Sequence, residues 1–178
     1  GDGARIIFTY KTPEVLSSAQ EAFLKNEMTR INELVYGDKN SEEIWQYLDI
    51  DALARFYIVQ EIVDNYESFH GSCYLYRDLG DNQKWKFGPV WDFGSSFNYS
   101  KSQYIYQGRE HHMTWIGELC KFPVFMQYVK ELWKEFYASQ YVRIYDYTAS
   151  QLSLLQSAAA ADLKRWPQYG NDNLANRI

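Results

Sequence analysis

The first segment in which apolar residues recur at helical spacing begins after a pair of serines and a glutamine. Two serines at positions 17–18 are followed three residues later by Gln20-Glu21, which is the spacing of a capping box. Apolar residues then recur every three or four positions until Gly37, a residue that commonly follows a helix end. We therefore predict a helix over residues 18–36.

The most regular apolar stripe of the chain begins just after Asp49. Its members are Ile50, Leu53, Ala54, Tyr57, Ile58 and Ile62. They fall at i, i+3, i+4, i+7, i+8 and i+12, which predicts a helix that packs into the core and that Asp49 or Asp51 can cap. Two further amphipathic helices follow later: one begins at Pro123, and the other carries apolar residues from Ile144 to Leu163.

Between these helices the pattern changes to short alternating runs. Residues 73–76 and 85–87 read as two strands joined by a turn over residues 78–82, which predicts a β-hairpin. The hairpin ends near Pro89 and leads into Asp92-Phe93-Gly94. The Tyr-rich stretch 95–114 that follows has no clear hydrophobic period, which predicts a long loop. The predicted fold class is α+β and mainly helical, with four principal helices around a small hairpin.

Composition narrows the functional classes. The 178 residues include 18 Lys+Arg against 23 Asp+Glu, a net charge of -5 with no basic run, which disfavours nucleic acid as a partner. No stretch reaches 18 apolar residues, so we expect no membrane span. Cys73 and Cys120 lack the spacing of a zinc site and are expected to be two free thiols, although a single disulfide stays open.

Aromatic residues make up 18% of the chain, more ring surface than a small core normally holds. We expect Trp91, Phe93 and Phe97 to pack in the core. The tyrosines at 99, 104 and 106 are left open, because they could cover the core or stack on sugars or peptides at the surface.

The candidate site is the segment from the end of the core helix to Gly94. A loop that contains Glu67, then two strands, then Asp92 would bring two carboxylates to the same end of the hairpin. Two such carboxylates can hold Mg²⁺ and leave coordination positions for phosphate oxygens. The order mirrors that of protein kinases, in which a loop Asp is followed five residues later by a metal-binding Asn; Glu67 and Ser72 have that offset.

The strings NYESFHGSCYLYRD at 65–78 and KWKFGPVWDFG at 84–94 resemble the CotH family of spore-coat-type atypical kinases. Residues 56–62 look like that family too, and the resemblance covers most of residues 10–166. It corresponds to the C-terminal part of such proteins, so the fold is expected to resemble the C-terminal lobe of an atypical kinase. Residues 1–12 would then be the end of an upstream lobe, 13–167 the CotH-like lobe and 168–178 a polar tail.

The resemblance implies ATP- and Mg²⁺-dependent phosphoryl transfer to protein Ser or Thr in the full-length protein. Asp92 matches the first Asp of the family's Trp-Asp-Phe-Asp motif, and Gly94 stands at the second. Glu67 stands where the family has Asp, and Ser72 where it often has Asn. The implied catalytic and metal-binding residues are Glu67 and Asp92, and the implied cofactor-binding residues are Asp92, Ser72 and Asn65.

Two functional hypotheses follow from these features. The first is a kinase fragment, because no Gly-rich loop or strand lysine precedes residue 18. The second is a catalytically inactive cell-surface module that binds a glycan or a protein partner, for which the departures at Glu67, Ser72 and Gly94 argue. The resemblance also implies a secreted or cell-surface bacterial protein and surface or coat proteins as substrates.

Overall fold

The computed structural model describes residues 7–97, 104–107 and 114–167. Within them the chain is mainly helical and carries one two-stranded sheet, which confirms the predicted α+β class at this level. The elements are α1 Ser18–Tyr36, α2 Ile44–Tyr47, α3 Ile50–Val63, β1 Leu75–Tyr76, β2 Lys86–Phe87, α4 Ile116–Leu119, α5 Pro123–Phe136 and α6 Val142–Arg165. The chain divides into two compact units, Gly1–Lys130 and Glu131–Ile178.

Helix α1 has the predicted bounds and the predicted capping box. The Ser17 hydroxyl accepts a hydrogen bond from the Gln20 backbone N–H at 3.3 Å, and the Gln20 side chain accepts one from the Ser17 N–H at 2.9 Å. These bonds satisfy two donors that a helix start leaves unpaired. Toward the other end of α1, Ile31 and Val35 are fully buried and anchor the helix to the core.

Helix α3 is capped by Asp49, whose carboxylate accepts a hydrogen bond from the Ala52 N–H at 3.0 Å. The middle of the predicted stripe, from Leu53 to Ile58, is buried, whereas Ile50 is half-buried and Ile62, in the last turn of the helix, is 38% exposed. Asp64 ends the helix in the left-handed conformation, with φ 51°.

The hairpin forms in the predicted place but with strands of two residues each, in which Leu75 pairs with Phe87 and Tyr76 with Lys86. Trp85, predicted to belong to the second strand, bonds elsewhere. Its N–H donates to the Tyr47 carbonyl at 2.8 Å, and its carbonyl accepts from the Asp49 N–H at 2.9 Å. The hairpin is therefore fixed to the junction between α2 and α3.

Aromatic rings build much of the core of the first unit. Trp45 lies against Phe122 and Phe125, with ring centroids 5.7 and 5.8 Å apart. Phe69 of the loop after α3 contacts Phe56 of α3 and Phe87 of β2. The loop and the hairpin thus share one apolar core with the helices.

The expectation that Trp91, Phe93 and Phe97 belong to the core was wrong. They are 40, 39 and 55% exposed, respectively. Asp92, between the first two of them, has a left-handed backbone and is itself exposed, so this segment lies at the surface. Trp91 instead stacks on Tyr74, with the centroids 5.2 Å apart and the planes 22° apart.

In the second unit, the apolar stripe predicted from Ile144 to Leu163 does form a helix, but α6 has no buried residue. Ile144, Leu155 and Leu163 are 45, 49 and 45% exposed. The pattern predicted the helix correctly, whereas burial also needs a facing layer, which the described part of this unit does not supply. A π-helical turn, Tyr137–Tyr141, joins α5 to α6.

The described part of the predicted long loop includes a short 3₁₀ turn, Ile105–Gln107, in which Ile105 is buried. Tyr99, the pair His111-His112 and the tail 168–178 lie outside the described residues. The predicted domain bounds, 1–12, 13–167 and 168–178, stay predictions.

Cys73 and Cys120 are free thiols, as predicted. No helix in the described part of the chain is both long and apolar enough to cross a bilayer.

Candidate functional site

The loop between α3 and the hairpin is closed by the backbone of Glu67. The Glu67 carbonyl accepts hydrogen bonds from the N–H groups of His70, Gly71 and Ser72, at 3.2, 3.1 and 3.4 Å. The five-residue offset between Glu67 and Ser72 therefore has a structural basis, since a bond between their backbones closes the loop. Ser72 is brought in this way to the start of the hairpin.

Asp92 lies beyond the hairpin in a conformation that is unfavourable for a residue with a side chain. Its φ is 56°, and the left-handed region costs a non-glycine residue on the order of 1 kcal/mol. Asn65 stabilises this turn, because its side-chain N–H donates to the Asp92 carbonyl at 3.0 Å. Asn65 itself is fully buried, so the contact ties the Asp92 backbone to the interior.

A second contact fixes the Asp92 side chain. The Ser72 hydroxyl donates to Oδ2 of Asp92 at 2.7 Å, and Ser72 is only 8% exposed. The Asp92 residue as a whole is exposed. Three of the four predicted site residues, Asn65, Ser72 and Asp92, are therefore joined by hydrogen bonds.

Glu67 is the predicted site residue that these contacts do not include. Its side chain is half-buried, and in the described part of the chain its carboxylate has no hydrogen bond or ion pair. The backbone of Glu67 reaches Ser72, but no contact joins its carboxylate to Asp92. His70 is exposed at the end of the same turn.

The atoms around Asp92 suit a hard divalent cation such as Mg²⁺. Oδ2 of Asp92 accepts a hydrogen bond from Ser72. The other oxygen, Oδ1, lies beside Gly94, where the Cβ of any other residue would be 3.6 Å away. Because Gly94 has no side chain, this side of Oδ1 is left open. Among the described residues no group of three or more His, Cys, Asp or Glu side chains is placed so that it could hold a metal ion. Magnesium tolerates such a sparse set, because it keeps several waters and takes oxygens from bound phosphates.

The thiol that follows Ser72 is not available for nucleophilic chemistry at neutral pH. Burial raises the pKa of Cys73 to about 12. Since the thiolate is the reactive form of cysteine, Cys73 acts here as a small apolar residue. The candidate chemistry of this site therefore rests on oxygen groups.

Two features near the site were not predicted from the sequence. One is the exposed stacked pair of Tyr74 and Trp91. The other is a groove of about 440 Å³ between α3 and the end of the hairpin, lined mainly by apolar side chains. Residues of both elements line it, among them Ala52, Phe56, Tyr76 and Pro89. Neither feature has a local sequence signature, because each depends on how the hairpin packs on α3.

Comparison with known proteins identifies a family that this chain matches. The family model described as CotH kinase protein matches residues 6–177. No curated protein and no solved structure matches the chain. Because the family model covers nearly all of the sequence, the chain belongs to the CotH kinase protein family.

Proposed function

We propose that the full-length protein is an ATP- and Mg²⁺-dependent kinase that transfers a phosphoryl group to Ser or Thr of protein substrates. Membership of a kinase family supports this reaction class. The observation that carries the proposal is Asp92, an exposed residue just beyond the hairpin whose carboxylate accepts from Ser72 and whose backbone carbonyl accepts from Asn65. A fixed carboxylate that faces solvent is suited to binding the metal that accompanies ATP.

The proposed roles follow the placement of each side chain. Asp92 would hold Mg²⁺, which when bound neutralises charge on the phosphate oxygens. Glu67 would accept the proton of the substrate hydroxyl, because its carboxylate is half-buried and has no ion pair among the described residues. The C-terminal lobe of an atypical kinase is the fold we propose for this part of the protein.

The test is phosphoryl transfer from labelled ATP by the full-length protein and its Asp92→Asn variant. Losing the metal-holding charge is expected to lower the rate on the order of 10²-fold or more. Asp81→Asn is the matched control, since Asp81 lies exposed in the hairpin turn and should leave the rate unchanged. An undiminished rate in the Asp92 variant would refute the site.

The second candidate function is a catalytically inactive surface module that binds a glycan or a protein partner. Tyr104 and Tyr106 favour it, because their rings stack 5.8 Å apart with planes 13° apart and Tyr104 is 59% exposed. Exposed aromatic faces of this kind can stack on sugar rings. Glycan binding that is lost in Tyr104→Ala, together with no binding of ATP by the full-length protein, would favour this candidate over the kinase.

We also propose that the protein works outside the cytoplasm of a bacterium, on surface or coat proteins. The support is the sequence resemblance and the family membership. Fractionation of the native cells, with an antibody against this chain, tests it. Recovery of the protein only in the cytoplasmic fraction would refute it.

A further inference from the structure

The two residues that hydrogen-bond to Asp92, Asn65 and Ser72, are much less accessible to solvent than Asp92 itself. Asn65 is fully buried and Ser72 is 8% exposed, whereas Asp92 is exposed. Of the three residues, Asp92 is therefore the one that a metal or phosphate can reach from solvent. The side-chain oxygen of Asn65 is itself buried, with no hydrogen-bond partner among the described residues.

We infer that Asn65 and Ser72 are positioning residues that hold Asp92 for the metal, and that neither is a metal or nucleotide ligand. This inference rests on the kinase function proposed above. It gives the two residues a different role from the cofactor-binding role expected from the sequence.

The two residues hold different parts of Asp92. Asn65 bonds the carbonyl and so maintains a backbone conformation, φ 56°, that a residue with a side chain rarely adopts. Ser72 bonds Oδ2 and so selects one orientation of the carboxylate. Together they fix both ends of the residue and leave Oδ1 as the oxygen that faces the open side at Gly94.

The chemistry of the Ser72 bond supports a positioning role. A serine hydroxyl has one proton, and here that proton points to Oδ2 of Asp92. A carboxylate whose orientation is already fixed loses less conformational freedom when it binds a cation. Removing the hydroxyl should therefore weaken cation binding without removing a ligand.

The experiment uses Tb³⁺, an oxygen-seeking ion whose emission is sensitised by nearby aromatic side chains such as Trp91. Its emission lifetimes in H₂O and D₂O give the number of bound waters. In the full-length protein we expect Ser72→Ala to weaken Tb³⁺ affinity about 10-fold with the number of bound waters unchanged. If Ser72 is instead a direct ligand, the variant gains a bound water, and that result overturns the inference while leaving the metal site intact.

Matched variants separate positioning from folding. Ser68→Ala is the control, because Ser68 is a fully buried serine of the same loop whose hydroxyl has no partner among the described residues. It should leave Tb³⁺ affinity unchanged, and Ser72→Thr, which keeps the hydroxyl, should restore most of the affinity lost in Ser72→Ala. If Ser68→Ala and Ser72→Ala lower the affinity equally, the positioning role is wrong.

Asn65→Ala extends the test to the backbone contact. It is expected to weaken Tb³⁺ affinity while the number of bound waters stays the same, and an added water would show direct ligation. Absence of sensitised emission from the unchanged protein, or emission that persists in Asp92→Asn, would overturn the inference together with the metal site. The phosphoryl-transfer assay remains a separate test of the kinase function.

Discussion

Replacing Gly94 with aspartate would supply the second carboxylate that the sequence resemblance implies for the family motif, and the structure allows its effect to be estimated. A Cβ at this position would lie 3.6 Å from Oδ1 of Asp92, an ordinary contact distance, so the substitution is sterically tolerated. We take the separation of the two carboxylates to be on the order of 5 Å and estimate their repulsion from Coulomb's law. Two like charges at that distance repel by about 0.8 kcal/mol in a water-like medium and by about 3 kcal/mol at an effective dielectric constant of 20.

Because Asp92 is exposed, the lower end of this range applies, and we expect a loss of stability of about 1 kcal/mol without a cation. For the unfolding of a domain of about 150–250 residues that corresponds to a fall in Tm of about 2–4 °C. Bound Mg²⁺ would remove the repulsion and gain a second carboxylate ligand. We therefore expect Gly94→Asp to raise Mg²⁺ affinity about 10-fold, or about 1.4 kcal/mol.

The assay is thermal unfolding of the full-length protein with and without saturating Mg²⁺, together with a Mg²⁺ titration. Gly94→Asn is the control, because it has nearly the same shape without the charge. The reasoning is refuted if the Asp and Asn variants lose the same stability with and without Mg²⁺, and if neither gains affinity for the ion.

Three further predictions concern stability and reactivity. Ser17→Ala removes the hydroxyl that accepts from the Gln20 N–H and should cost about 1 kcal/mol in urea unfolding, whereas Ser18→Ala should cost less than half of that. Equal losses in the two variants would contradict the assigned cap. Phe125→Ala empties a fully buried site and should cost about 3–5 kcal/mol, against under about 1 kcal/mol for the half-exposed Phe97; a small loss at Phe125 would contradict the described core. The pKa of Cys73 is raised to about 12, so at pH 8 only about one molecule in 10⁴ carries the thiolate. Iodoacetamide should therefore label Cys73 slowly in the native protein, and the labelling rate should rise about 10-fold per pH unit up to pH 12. Rapid native labelling at pH 8, as fast as in urea, would refute that assignment.

The helices could be predicted because their signals are local. The capping box at Ser17 and the cap at Asp49 act on the turn that immediately follows them, and periodicity marks the rest of each helix. Burial was less predictable. The stripe on α6 is as regular as a core stripe, yet none of its residues is buried, because periodicity gives the face of a helix and says nothing about what covers that face.

The site was predicted in outline only. The order of loop, hairpin and Asp92 indicated which residues meet, and Asn65, Ser72 and Asp92 do contact one another. The kind of contact could not be read from the sequence. The left-handed turn at Asp92 and the exposure of Trp91 both depend on contacts between residues more than fifteen positions apart, which no local pattern records.

One backbone contact closes the whole site region. The chain leaves α3 after Val63 and passes through the loop, the hairpin and Asp92, and then the N–H of Phe97 donates back to the Val63 carbonyl at 2.6 Å. Residues 64–96 thus form an excursion from the helical part of the chain, a segment that leaves and returns at the C-terminal end of α3. Phe69, Trp85 and Phe87 fix this segment to the core, so its exposed residues are the ones that can change, at little entropic cost of loop closure, without altering the path of the helices. A catalytic form and a binding form of this site could therefore share the same helical scaffold and differ only within the excursion.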